Sequence, residues 1–211
     1  MLENKAVDII NLLNKRYPCS KTELFYKTPF QLLVATILSA QCTDKMVNKI
    51  TPGIFEKYND AAGFAKAKQV ILEQEIKSSG FYRNKAKNII QSARKISLDF
   101  GGEVPDSMED LLTLPGVARK TANIILSSAF KKSEGIAVDT HVKRLSCRLG
   151  FSSEKNPDKI EKDLMALFSK KYWLKINYIL VNHGRDTCKA RKPLCFKCPI
   201  SRLCNSTDKI K

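Results

Sequence analysis

Four cysteines close together near the end of the chain constrain its fold more than any other feature of the sequence. Cys188, Cys195, Cys198 and Cys204 follow the spacing C-x6-C-x2-C-x5-C. No signal peptide is expected, because charged side chains interrupt the apolar residues of the first 17 positions. A disulfide framework is therefore not expected either, since disulfides form in oxidising compartments. The clustered thiols indicate a metal centre instead.

The cysteine spacing favours an iron–sulfur cluster over zinc. Structural zinc sites usually combine two close pairs of ligands, and here only Cys195 and Cys198 form such a pair. Four thiolates at varied spacings are typical of iron–sulfur clusters. Zinc and unliganded thiols stay open as alternatives. We expect the other cysteines, Cys19, Cys42 and Cys147, to be small buried side chains.

An excess of basic residues indicates a polyanionic partner. The 211 residues include 37 Lys and Arg against 21 Asp and Glu, a net charge of +16. Self-repulsion of this size destabilises a compact protein, whereas it favours binding to a polymer of phosphates whose counterions are displaced. Nucleic acid is the first candidate and an anionic membrane surface the second. A proteome that is rich in lysine throughout is the remaining explanation.

Two stretches of the chain are basic almost without interruption. Residues 81–95 hold five basic side chains and no acidic one, and residues 188–211 hold seven basic side chains and one acidic one. Solvated helix faces usually mix both signs, so these stretches are predicted to contact phosphates. The longest uncharged run, residues 28–43, is shorter than the roughly 20 residues of a membrane span. We expect a cytoplasmic protein that is associated with the nucleoid and not with a membrane.

Local patterns predict an all-α fold of about ten helices, because apolar residues recur at helical spacing and no alternating strand pattern is present. The length allows one compact body or two small lobes. Gly80 and Gly150 stand where helices should end. Side chains suited to N-caps precede five predicted helices: Thr28, Thr43, Asn84, Ser107 and Asn156.

The segment Leu114-Pro115-Gly116-Val117 predicts a tight turn between two helices. This is a helix-hairpin-helix arrangement, in which bare backbone N–H groups at a helix start can receive a DNA phosphate. An ordinary corner between two helices would give the same pattern. That alternative stays open at this point.

Lys120, in the second helix of the hairpin, is a candidate nucleophile. It neighbours Val117 and Ile124, which lie on the apolar side of that helix. Partial burial at this border would favour the neutral, nucleophilic amine. Most lysines in so basic a chain, however, are solvated charges.

Asp139 begins a further helical pattern and is first of all a good N-cap. His141 and His183 have no second histidine nearby in the sequence. We expect both to be packed or hydrogen-bonding side chains.

Six segments together resemble bacterial endonuclease III, in the same order along essentially the whole chain. They are LSAQCTD (38–44), GFYRNKAKNI (80–89), LPGVARKTAN (114–123), AVDTHV (137–142), HGRDTC (183–188) and the four-cysteine loop. The resemblance implies a DNA glycosylase with abasic-site lyase activity, acting on oxidised pyrimidines in double-stranded DNA. It further implies a monomer that carries a [4Fe-4S] cluster.

The resemblance also implies an architecture and a set of site residues. A six-helix barrel would span residues 22–132, and a cluster domain would combine residues 1–21 with 133–211. Lys120 matches the nucleophile and Asp139 the catalytic carboxylate. Cys188, Cys195, Cys198 and Cys204 match the cluster ligands. The implied DNA contacts are Gln41, which fills the gap left by the flipped base, Phe81 at the wedge position, and Gly116, Ala118 and Arg119 of the hairpin.

Two residues depart from the family pattern. Ala118 replaces the second glycine of the hairpin, which would cost about 1 kcal/mol if the backbone there needed a positive φ. Phe81 is aromatic where the family usually has an aliphatic wedge. Because aromatic side chains also separate base steps, we expect function to be kept with an altered lesion preference.

Two other function classes compete with a glycosylase. A non-catalytic DNA-binding module would use the same hairpin and basic stretches without covalent chemistry. A zinc-stabilised or redox-sensing protein would use the cysteines alone. The related adenine-mismatch glycosylases share the hairpin and cluster motifs but lack a lysine at the position of Lys120, which disfavours them.

Overall fold

The computed structural model describes residues 2–18, 21–207 and 209. These residues form eleven α-helices and three short 3₁₀ turns and contain no β-strand, which confirms the predicted all-α fold. The helices are α1 (Leu2–Arg16), α2 (Pro29–Ser39), α3 (Asp44–Lys57), α4 (Ala61–Ala65), α5 (Gln69–Glu75), α6 (Tyr82–Asp99), α7 (Met108–Leu112), α8 (Arg119–Ser128), α9 (Thr140–Leu149), α10 (Pro157–Leu167) and α11 (Lys170–Asp186). The 3₁₀ turns are Lys77–Ser79, Cys195–Lys197 and Ser201–Leu203. None of the described helices has both the length and the apolar composition of a membrane-spanning segment.

Four of the described helices begin at caps predicted from the sequence. Thr28, Thr43, Ser107 and Asn156 each accept a hydrogen bond from a backbone N–H of the first helical turn. The prediction that Asn84 caps a helix is wrong, because α6 already begins at Tyr82 and Asn84 is an exposed residue of its first turn. The chain enters α6 through two residues with positive φ, so the backbone turn, and not a capping side chain, sets its start.

The chain divides into two compact units, residues 23–131 and residues 1–22 with 132–211. The first contains α2 to α8, and the second contains α1, α9 to α11 and the four-cysteine segment. The two domains implied by the family resemblance, a six-helix barrel over 22–132 and a cluster domain over 1–21 with 133–211, stay predictions.

Each unit has its own hydrophobic core. In the unit of residues 23–131, every residue from Leu32 to Leu38 is buried, so α2 is enclosed on all sides at the centre. In the other unit, α11 packs against α1 and α9, and Ile176, Ile179 and Leu180 are fully buried. Each unit can therefore hold its loops in fixed positions.

Candidate active site and nucleic-acid interface

The predicted helix-hairpin-helix is present as α7, a tight turn and α8. The N–H of Leu114 donates to the carbonyl of Leu111, and the N–H of Val117 donates to the carbonyl of Leu114, which closes the turn. Gly116 has a φ of +80°, and a Cβ built there would lie 2.8 Å from Asn88 Nδ2. Both the backbone conformation and the close approach therefore require glycine at this position.

α6 holds the hairpin turn in place. Ser92 Oγ, which lies on α6, donates to the Pro115 carbonyl at 2.7 Å. Asn88, one turn earlier on the same helix, lies against Gly116. The turn is thus fixed by two side chains of one long helix.

Ala118 is accommodated without strain. Its φ is −93° and its ψ is 170°, which is extended backbone that any residue adopts. The expected penalty for replacing glycine here is therefore absent. Alanine has no side chain that can cap α8, so phosphate oxygens could take the place of a cap at the first-turn N–H groups.

Lys120 is the second residue of α8, and its side chain is exposed. The expectation that it is partly buried is wrong, because the fully buried side of α8 runs through Ala122, Ile125 and Leu126, while Ile124 is only half-buried. Lys120 therefore belongs to the accessible side of the helix. This placement leaves its side chain open to solvent.

Asp139 is the N-cap of α9, where Oδ1 accepts a hydrogen bond from the Val142 N–H at 2.8 Å. The residues before it are buried, and two side chains hold them. Glu161 Oε1 accepts from the Ile136 N–H at 3.2 Å, and Asn177 Nδ2 donates to the Ala137 carbonyl at 2.7 Å. The half-buried carboxylate thus stands on a fixed segment, and its Oδ2 lies outside the cap hydrogen bond.

Both histidines are hydrogen-bonding side chains, as expected. His141 Nδ1 lies 3.2 Å from Arg144 Nη2, and burial lowers the pKa of this histidine. His183 Nδ1 lies 3.3 Å from the Tyr17 hydroxyl, and burial lowers the pKa of His183 to about 4. Both rings are therefore neutral at pH 7.

Gln41 and Phe81 are exposed residues with left-handed backbone, at φ values of 53° and 48°. Phe81 exposes 64% of its surface, so it is not a core residue. Left-handed backbone is costly for residues other than glycine and tends to occur at functional sites. Both residues belong to the same unit as Lys120 and the hairpin.

The four clustered cysteines line one apolar cavity in the other unit. All four are free thiols, and burial raises the pKa of the Cys198 thiol. Within the part of the chain that the structure describes, no three His, Cys, Asp or Glu side chains are grouped as ligands of a single metal ion. The cavity therefore brings the four thiols together in one part of this unit.

The remaining cysteines differ from expectation. Cys147 is exposed and Cys42 is half-buried, so the prediction that they are buried is wrong for Cys147 and only partly right for Cys42. Both residues lie near the ends of structural elements, where helical spacing does not determine burial. Cys19 lies outside the described residues.

Three basic residues have structural roles that were not predicted from the sequence. Lys85 was grouped with predicted phosphate contacts, but it is buried, with only 4% of its surface exposed. Arg144 donates to the carbonyls of Gly184 and Cys188 at 3.1 and 3.0 Å. Arg148 donates to the Lys189 carbonyl at 2.8 Å, and its Nη1 lies 3.4 Å from Cys188 Sγ. The i, i+4 spacing of the two arginines was the available signal, because it places both on one face of α9.

Comparison with known proteins agrees with this geometry. Residues 34–170 match the HhH-GPD superfamily of base excision DNA repair proteins. Endonuclease III of Synechocystis sp. is 52% identical over 98% of this chain and 94% of its own length, and endonuclease III of Bacillus subtilis is 43% identical over 99% and 96%.

Solved structures show the same likeness. A non-covalent endonuclease III–DNA complex has a TM-score of 0.91 and 41% identity, covering 96% of this chain and 95% of that one. A trapped endonuclease III–DNA covalent intermediate gives the same values. The chain therefore belongs to the endonuclease III family within the HhH-GPD superfamily of base excision DNA repair proteins.

Proposed function

We propose that this protein is a bifunctional DNA glycosylase and abasic-site lyase that removes oxidised pyrimidines from double-stranded DNA. The observation that carries the proposal is the exposed Lys120 amine at the start of α8, directly after the hairpin turn. The solved relative in a trapped covalent state with DNA supports a covalent mechanism. The non-catalytic DNA-binding alternative is not favoured, because nothing in it requires a lysine at this position.

The reaction begins with extrusion of the damaged nucleotide, since its C1′ atom is inaccessible within the duplex. Gln41 fills the gap in the stack and Phe81 separates the neighbouring base step. Their exposed side chains support these roles. The backbone of Gly116, Ala118 and Arg119 receives a phosphate of the same strand and fixes the register.

The Lys120 amine then attacks C1′, and the bond from C1′ to the base breaks with its electron pair leaving on the base. Asp139, ionised, stabilises the positive charge that develops on the sugar and assists proton transfer. Opening of the sugar ring gives an imine between Lys120 and C1′. Loss of a C2′ proton then expels the 3′ oxygen by β-elimination, and water hydrolyses the imine to free the lysine.

We infer that Cys188, Cys195, Cys198 and Cys204 hold a [4Fe-4S] cluster. The donor set fits, because four free thiols line one apolar cavity. A cluster of this kind would need four thiolates, which this segment supplies. These four cysteines would hold the cluster, and its ligation energy would then contribute to folding of the unit. Purified protein should be brown if this assignment is right and colourless if the metal is zinc.

A duplex with a single thymine glycol, an oxidised pyrimidine, tests the proposed activity. The wild-type protein should release the base and cut the strand on its 3′ side. Asp139→Asn should slow base release by roughly 10²–10⁴-fold, the usual range for a positioned electrostatic or acid–base group. It should still cleave a preformed abasic site, where no base has to leave.

Asparagine is itself a good N-cap, so this substitution spares the start of α9. Unchanged base release in Asp139→Asn would mean that Asp139 is only a cap. Binding of the duplex by the wild-type protein without any cleavage would support the non-catalytic alternative instead.

A further inference from the structure

A buried lysine connects the two segments that lead into Gln41 and Phe81. Lys85 Nζ donates to the Leu38 carbonyl at 2.8 Å and to the Ser79 carbonyl at 2.7 Å. Leu38 is next to the last residue of α2 and lies three residues before Gln41. Ser79 ends the 3₁₀ turn before Gly80 and lies two residues before Phe81. One ammonium group therefore holds both segments.

A lysine at this position carries energetic costs. Its side chain is buried, and no carboxylate among the described residues pairs with it. It also lies in the first turn of α6, where the helix dipole disfavours positive charge. Burial lowers the pKa of Lys85, as expected for a desolvated amine. An apolar side chain would avoid these costs, although it would leave the Leu38 and Ser79 carbonyls without this donor.

The two segments that Lys85 joins have backbone conformations that need support from surrounding contacts. Both Gln41 and Phe81 have left-handed backbone, which persists only where surrounding contacts enforce it. The carbonyls of Leu38 and Ser79 stand at the ends of helical segments, where carbonyls lack partners within their own helix. The Lys85 amine satisfies both carbonyls at once and so fixes the distance between the segments.

We propose that Lys85 is a positioning residue that holds Gln41 and Phe81 at one separation, so that both side chains enter the DNA at the same lesion. This inference rests on the proposed function. Lys85 touches neither DNA nor the reacting atoms. It acts on extrusion of the nucleotide through the two segments, and not on the chemistry at Lys120.

The test compares Lys85→Met, which keeps an unbranched side chain one atom shorter but removes the N–H donors, with Lys85→Arg, which keeps N–H donors. Base release from a thymine glycol duplex in single turnover should slow by about 10- to 100-fold in Lys85→Met, the effect expected of a misplaced positioning group. Cleavage of a single-stranded abasic oligonucleotide, where no stack has to open, should stay within about twofold. Lys85→Arg should recover part of the duplex rate.

A double-mutant cycle separates positioning from a general structural role. In a protein that already carries Gln41→Ala and Phe81→Ala, Lys85→Met should slow base release by less than about twofold, because the side chains that it positions are gone. Lys66→Met, at an exposed lysine of the same unit, is the matched control and should behave as wild type in every assay.

Three kinetic results would overturn the inference: a wild-type duplex rate in Lys85→Met, equal losses on duplex and single-stranded substrates, or the same slowing in the background that lacks Gln41 and Phe81. Fluorescence of a 2-aminopurine placed beside the lesion reports unstacking without any chemistry. The rise on binding should be smaller for Lys85→Met than for wild type, and equal rises would contradict positioning. Absence of base release by the wild-type protein would contradict the proposed function, and the fluorescence comparison would still decide the role of Lys85.

Discussion

Individual residues in the unit of residues 23–131 combine exposure with costly backbone conformations. Phe81 exposes a large apolar ring at a φ of 48°, and it does so at the start of α6 without a capping hydrogen bond. An aromatic side chain that neither packs in the core nor caps its helix gains little from folding. The exposed Phe81 ring is better explained by a binding partner that stacks on it.

Phe81→Ala should weaken binding to lesion-containing duplex by about 1–3 kcal/mol, the usual worth of base stacking. Binding to undamaged duplex should change much less, because no base step has to be opened there. Titrations of the two duplexes by fluorescence anisotropy measure both values. Phe25→Ala removes an equally exposed phenylalanine of the same unit and is the control. Equal losses on both duplexes would argue against a wedge.

The sequence predicted the local motifs of the candidate site better than it predicted which of their side chains are buried. The hairpin turn, the N-cap at Asp139 and the cysteine cluster depend on local spacing, which the sequence contains directly. The burial of Lys85 and the exposure of Lys120 depend on which neighbouring helices pack against each residue. Helical periodicity does not include that information, so both lysines were placed wrongly.

At the scale of elements, α9 links the candidate carboxylate to the cysteine segment. Asp139 caps its first turn, and Arg144 and Arg148 reach the backbone carbonyls of Cys188 and Lys189 from later turns. α11 approaches this helix closely at Gly184, where a Cβ would lie 2.8 Å from His141 Nδ1 and 2.9 Å from Arg144 Nη2. The glycine thus allows the two helices to pack together.

Gly184→Ala should destabilise the protein by about 1–3 kcal/mol, the usual cost of overpacking, because His141 and Arg144 must move. Gly53→Ala is the matched control, since Gly53 is also helical and a Cβ there would meet nothing within 4 Å. That variant should keep or slightly raise stability, because alanine favours helix over glycine. Urea unfolding of the two variants gives the comparison. If Gly184→Ala were as stable as Gly53→Ala, the side chains of His141 and Arg144 would have room for the added methyl group.

At the scale of the whole molecule, the protein consists of two helical units and carries a net charge of +16. The sequence predicted the all-α class and several helix starts, because caps and apolar spacing are local signals. It did not predict the start of α6 correctly, because a backbone turn at positive φ leaves no capping side chain to recognise. The net charge predicts a polyanionic partner wherever the individual helices begin.

Binding to undamaged duplex should therefore depend strongly on salt. Several neutralised phosphates should give a slope of roughly −4 to −7 in a plot of log affinity against log salt concentration. Lys85 does not contribute to this slope, since it is buried and bonded to backbone carbonyls. Anisotropy titrations over a series of NaCl concentrations measure the slope. A slope near zero would contradict an electrostatic footprint on DNA.

Borohydride trapping tests the central claim most directly, because it reduces an imine between protein and DNA to a stable amine. Wild-type protein incubated with abasic-site duplex and borohydride should form a covalent complex, and mass spectrometry of its peptides should place the adduct on Lys120. Lys120→Ala should fold normally, since this side chain is exposed, and should form no complex. A complex that persists in Lys120→Ala, or an adduct mapped to another lysine in the wild-type protein, would contradict the mechanism.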